Sequence, residues 1–252
     1  MRLTSALLIT ATAFSASVLA DSFDATKAKI QSAMQAEIRT EKETARDRNR
    51  MPVETLEFFG LRDDMKVVEF IPGGGWYTKL LVPVMAENGE YHAALGTSRI
   101  SKSLSGKAGF EKMNIAKNDA KFSREEGARF SDLNFTDIGV KGADIVFTFR
   151  NYHNLTEGGR TAMNKAAWQA LKPGGVYAVV DHTARHMEPG TNSNRRRFDP
   201  VKAIKEIQAQ GFVFEDYSEL HYREDDELRY EVGVKSVTGN SDRWTLKFRK
   251  PK

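Results

Sequence analysis

The chain has 252 residues, 38 Lys and Arg against 34 Asp and Glu, a net charge of +4, and no cysteine. That length suits one α/β domain with enough buried surface to stand without staples, and 40% hydrophobic with 29% charged residues describes a globular chain. The missing cysteines exclude a disulfide framework, a thiolate metal site, an iron–sulfur cluster and a thiol nucleophile, and the small, scattered net charge argues for neither a nucleic acid nor a membrane partner.

Residues 1–20 join one basic residue, Arg2, to an apolar stretch from Ala6 to Phe14 and a small-residue ending, Val18-Leu19-Ala20. This is the pattern of a secretory leader, and the apolar run is too short to cross ~30 Å of hydrocarbon. It predicts export to the periplasm or beyond, cleavage near Ala20, and no membrane insertion afterwards. Twin arginines and a lipid-bearing cysteine are absent. Residues 21–51 form a predicted helical extension. Ile30, Met34 and Ile38 recur every four residues as one narrow apolar stripe, and the extension ends before Pro52. Its closing run Arg46-Asp47-Arg48-Asn49-Arg50 reads as a solvated face.

Residues 52–252 alternate helix and strand as one domain. A short helix over 53–59 ends at Gly60. A buried strand over 66–71 runs into Gly73-Gly74-Gly75, followed by a helix over 76–85 and a second strand over 90–95. Residues 97–130 show only a helix near 110–116. A strong strand over 143–149, a helix over 158–171, a strand over 176–181 and a helix over 201–210 follow. Strands over 212–220 and 243–249 have no clear helix between them and are expected to pair antiparallel. The alternation predicts a mostly parallel sheet with helices on both faces and an antiparallel edge, an α/β three-layer sandwich.

In such a sheet, ligands sit at the carboxyl ends of the strands, where the strand order switches. Gly73-Gly74-Gly75 occupies that place, and the next helix aims its free N–H groups at it. A dinucleotide site needs Gly-x-Gly-x-x-Gly and an acidic residue about 20 positions on. Gly73-x-Gly75-x-x-Thr78 lacks the third glycine, and Gly96 ends the second strand.

The segments 52–60, Gly73-Gly74-Gly75-Trp76-Tyr77-Thr78, Asn151-Tyr152-His153-Asn154, Leu171-Lys172-Pro173-Gly174-Gly175, Val180-Asp181-His182 and 241–248 span most of residues 46–251. On them the chain resembles the class I S-adenosylmethionine-dependent methyltransferases, and within those a family of exported, predicted methyltransferases. The resemblance implies a Rossmann-like, seven-stranded sheet and S-adenosylmethionine as cofactor. It implies that Glu69, Gly73, Gly74, Gly75 and Tyr77 bind that cofactor, Glu69 standing where the family carries its first-strand acid. Two positions depart from the pattern: Ile71 replaces the first glycine, and Gly96 stands where a carboxylate usually grips the ribose. Losing that charged partner removes ~1.5–3 kcal/mol.

Polar residues end two neighbouring strands. His153 or His182 is the candidate base, Asp181 orients it, and Asn151 positions the acceptor. The resemblance also places Arg197 and Asp199 in the substrate site, where an arginine can clamp a carboxylate or phosphate. The function expected is methyl transfer to a small, anionic acceptor in the periplasm. The rivals are a non-catalytic exported binding protein using the same cleft, and a metal-assisted hydrolase built on His153, Asp181, His182 and His186. No metal ligand set is expected.

Overall fold

Short apolar runs bounded by turns build the sheet. Lys66–Phe70 (β1) and Ala143–Phe149 (β6) are too short for stable helices and are buried nearly throughout, as strands covered on both faces must be. The computed structural model describes residues 23–252, so the leader expected over 1–20 lies outside the described residues.

In chain order, four helices come first: α1 (Asp24–Met34), α2 (Glu41–Thr44), α3 (Asp47–Arg50) and α4 (Pro52–Phe58). Then follow β1, α5 (Thr78–Met85), β2 (Glu90–Ala94), α6 (Ser98–Leu104), β3 (Met113–Ile115), β4 (Lys121–Ser123), β5 (Asp132–Asn134) and β6. The chain closes with α7 (Glu157–Ala170), β7 (Leu171–His182), α8 (Pro200–Ala209), β8 (Val213–Ser218) and β9 (Arg243–Arg249). The seven-stranded sheet runs β3-β2-β1-β6-β7-β9-β8. The first five strands are parallel, and β9 inserts antiparallel between β7 and β8, which gives the expected edge. A separate hairpin, β4–β5, stands off the main sheet.

Alternation along the strands divides the core in two. Val68 and Phe70 of β1, Val146 of β6 and Val179 of β7 pack beneath Met163 and Ala167 of α7 and Ile207 of α8. Val67, Ile145, Phe147 and Ala178 face the other way, against Leu80 and Leu81 of α5, Ile100 of α6, Leu56 of α4 and Ile30 of α1. Within the expected extension, Phe23, Ile30 and Ala33 belong to the core of that face of the sandwich. Fully burying an aliphatic side chain such as Ile30 is worth ~1.5–3 kcal/mol.

One expectation fails in the segment 97–130, and one helix there was not anticipated. The helix near 110–116 is the edge strand β3, whose Tyr91↔Met113 and Ala93↔Ile115 pairing with β2 supplies what the local sequence does not. The helix α6 precedes it, with Ile100 and Leu104 as its only buried side chains. Among the described residues, no helix is long and apolar enough to cross a membrane.

Candidate functional site: a cation-lined cleft at the glycine turn

β1 lies between β2 and β6, with the strand order running outward on either side. This switch opens a crevice at the carboxyl ends of the strands. The chain leaves β1 at Ile71 with φ +52°, continues through Gly73 at +59° and Gly75 at +82°, and enters α5. A β-branched residue held left-handed costs about 1–2 kcal/mol, and such strain gathers at functional turns. The three glycines differ in role. A Cβ on Gly75 would lie 3.0 Å from both Ile100 Cγ2 and Leu104 Cδ1, so this glycine serves the packing of α6. Gly73 and Gly74 line the cleft, and a Cβ on Gly74 would meet nothing within 4 Å.

The cleft holds about 450 Å³. Glu69 stands at its base. Thr78 Oγ1 and Tyr91 Oη both donate to its Oε2 at 2.7 Å, so Oε1 is the oxygen left for a ligand. Burial pushes the Glu69 carboxyl up to about 7, against the opposing pull of those two hydrogen bonds and of Arg50. Tyr77 forms the floor, stacked on Phe149 with ring centroids 3.6 Å apart. Burial also raises the Tyr77 phenol.

Five cationic side chains line the same cleft: Lys42, Arg46, Arg50, Arg99 and Arg150. Two carboxylates face them, Glu69 and Glu43, and Glu43 is already held by Lys79 at 2.8 and 2.9 Å. Arg50 is only 8% exposed, and its guanidinium lies 4.3 Å from the centre of the Trp76 ring. Its backbone is clasped from far along the chain. Thr55 Oγ1 and His221 Nε2 both donate to the Arg50 carbonyl, at 2.9 and 3.1 Å, and Arg243 Nη1 donates to the Asn49 carbonyl at 2.9 Å. Donation through Nε2 fixes the His221 tautomer, and burial holds that imidazole neutral with its pKa near 4.

No protein-family model matches the chain, and no curated protein matches it in sequence. Solved structures match in fold. A SAM-dependent methyltransferase from Aquifex aeolicus superposes with a TM-score of 0.54 at 15% identity, over 89% of this chain and 98% of that one. The (4+2)-cyclase SpnF gives 0.52 at 12% identity, over 91% and 93%. The glycopeptide N-methyltransferase MtfA gives 0.52 at 14% identity, over 81% and 91%. The fold is that of the class I methyltransferases.

Within the methyltransferase fold, the other sequence candidates divide between the cleft and the interior. Asn151 does line the cleft, but its Nδ2 donates to the carbonyls of Phe70 and Ile71 and to Thr148 Oγ1, all at 3.2 Å. It ties the end of β1 to β6 and so positions the glycine turn. His153, Asp181 and His182 do not line this cleft, which corrects the expectation that they face it. Asp181 is fully buried and is consumed by internal donors: His153 Nδ1 at 2.5 Å, the His153 N–H at 3.1 Å and the His182 N–H at 2.6 Å. His182 Nδ1 meets Ser241 Oγ at 2.8 Å, and burial pushes this imidazole well below its usual pKa. The physical reason is general: a buried carboxylate must collect donors, and these strand ends supply them.

Arg197 and Asp199 are likewise occupied. The Arg197 guanidinium forms a buried fork with Asp226 at 2.8 and 2.9 Å and also donates to the carbonyls of Tyr230 and Thr183. Each guanidinium nitrogen has a partner inside the protein, and Arg197 and Asp199 line a separate cavity of about 580 Å³. Asp199 caps α8 through the Val201 N–H and accepts from His186 Nδ1 at 2.9 Å. His186 and His182 thus serve different partners. Among the described residues, no group of three His, Cys, Asp or Glu side chains is placed to hold a metal.

Gly96 ends the second strand region with φ +61°, and a Cβ there would lie 3.5 Å from the Phe122 ring and 3.6 Å from Ile71 Cγ2. Phe122 comes from the β4–β5 hairpin. The two departures from the family pattern therefore adjoin one another, closed over by an aromatic ring. Lys42, Arg46, Arg50, Arg99 and Arg150 were not anticipated as site residues. The available signals were Arg46 and Arg50 four apart, a spacing that aligns side chains on one helix face, and Arg150 one position past the end of a strong strand.

Proposed function

We propose that this chain is an exported, methyltransferase-like protein that binds S-adenosylmethionine at the glycine turn and passes its methyl group to a small acceptor. The observation that carries the reading is the open corner at the end of β1, where Gly73 and Gly74 face a 450 Å³ cleft above a carboxylate with one oxygen free. Similar structures that are methyltransferases, such as the Aquifex protein, support it. The leader pattern over residues 1–20 supports the exported location.

The residues present fit the cofactor at its amino-acid end. Glu69 Oε1 suits the ammonium group, the turn allows close approach of backbone to ligand, and Tyr77 offers an apolar floor. When bound, the cofactor supplies an electrophilic methyl group. The chain's own part is alignment and exclusion of water. With its carboxyl near pH 7, Glu69 is also able to hold or release a proton at Oε1 in the neutral range.

Calorimetry with S-adenosylmethionine and S-adenosylhomocysteine tests the reading. Binding is expected, weakened about tenfold or more by Gly74→Leu with the melting temperature unchanged. Gly75→Val is the wrong probe, because its Cβ would strike α6. No heat at millimolar cofactor overturns the reading. It would favour a non-catalytic binding protein, a second reading supported by the inward-turned His153–Asp181 pair.

A further inference from the structure

The arginines of the cleft lack the carboxylate partners that Arg160 and Arg197 have found. Arg46, Arg50 and Arg150 line it, and Nε of both Arg46 and Arg50 is buried without any hydrogen-bond acceptor. Among the described residues, none of the three guanidinium groups takes part in a salt bridge or donates a hydrogen bond. Arg243, directly behind, also leaves its Nε unpartnered, and it lines with Arg50 and Arg150 a small void that continues from the cleft floor. Burial, sharpened by Arg150 and Arg243, pushes the Arg50 guanidinium down to about 8. Burial and Arg46 lower Arg150 as well. Arg150 is held at φ +63°, and Met51, which follows Arg50, at +40°. Backbone strain thus sits at the residues that carry or position the unpaired charge.

Like charges gathered, desolvated and left unpaired are costly unless something of opposite sign completes them. Gly73 and Gly74 line the same space, ahead of the N-terminal end of α5. Forked guanidinium donors match the oxygens of a phosphoryl group. S-adenosylmethionine brings a single carboxylate, outweighed by its ammonium and sulfonium, and leaves most of this positive charge unanswered.

We propose that the cleft receives a small molecule bearing a phosphoryl group, clamped by Arg46, Arg50 and Arg150. This names the substrate class of the cleft and rests on the reading above only for the methyl transfer; the anion site stands without the cofactor.

The test uses the exported full chain, thermal melts and calorimetry, with inorganic pyrophosphate as probe and sodium chloride at matched ionic strength as control. Pyrophosphate is expected to raise Tm saturably. Arg50→Met and Arg150→Gln should each weaken its binding about tenfold or more, while Lys202→Gln on α8 leaves it unchanged. Without ligand, Arg50→Met should melt at or above the wild-type temperature, because a merely structural Arg50 would lower it. Equal stabilisation by chloride, undiminished binding by both arginine variants, or a response to citrate but not to pyrophosphate each overturns the proposal. The two readings fail separately. Pyrophosphate binding without S-adenosylmethionine binding removes the methyltransferase reading and keeps this one, and the reverse result does the opposite.

Discussion

Two clusters of charge in this protein, one flagged by the sequence as a site and one read as surface, ended in opposite states. Around β7, Asp181 and Arg197 are partnered within the protein: the carboxylate accepts three hydrogen bonds and the guanidinium forks onto Asp226. Around the glycine turn, Arg50 is buried and Arg150 half-buried, neither guanidinium has an acceptor among the described residues, and both line a cavity. The first arrangement holds a fold together. The second is tolerable only if something else arrives, because an uncompensated buried charge costs several kcal/mol. Pairing, more than residue type, separates framework from site.

The contrast can be broken most forcefully at Asp226. Asp226→Ala strands the Arg197 guanidinium in the interior and should cost ~3–5 kcal/mol by urea denaturation; a loss below about 1 kcal/mol would mean that region is no more settled than the cleft. Removing Arg50 should cost nothing, as set out above.

Next in size is the pH response of Glu69. Its folded pKa, about 7, lies above its ordinary 4.5, so the folded state holds the proton more tightly. The stability this gives is fully present below pH 4.5 and is lost as pH rises toward 7, about 3 kcal/mol in all. His221, with its pKa lowered to about 4, works in the other direction, since its share is lost as pH falls from 6.5 to 4. The two offset each other in the wild type. In Glu69→Gln, unfolding free energy measured across that range should therefore rise with pH more steeply than in the wild type.

A smaller loss is expected for Asp181→Asn, which weakens three internal hydrogen bonds at ~1–3 kcal/mol of stability. Calorimetry should find pyrophosphate affinity nearly unchanged; a tenfold loss would return His153 and Asp181 to the site. Least of all, Arg99→Gln at the exposed rim should alter anion affinity by under about 1 kcal/mol and lose even that at high salt.

Most of the architecture was legible because it rests on local signals. The runs at 66–70 and 143–149 are apolar, short and bounded by turn residues, and the late strands lack an intervening helix. β3 was not legible, because three residues of mixed exposure become a strand only beside Tyr91 and Ala93. The glycine turn could be found by composition, yet the division of labour between Gly74 and Gly75 depends on Ile100 and Leu104, some 25–30 residues on. Arg197 looked like a clamp because its partner lies at Asp226, in a stretch with no periodicity to place it. Arg46 and Arg50 looked like surface for the mirror reason, since sequence shows charge but not what stands opposite.

The clasp on Arg50 sets the order in which this protein can become competent. Its carbonyl is held by His221, and its neighbour Asn49 by Arg243, so Arg50 is seated by residues made more than 170 positions after it. No half-finished chain can own the pocket. A ligand captured there would act as a seal on folding, and proteolytic resistance gained on adding it would register around Arg50 and around His221 and Arg243 at once.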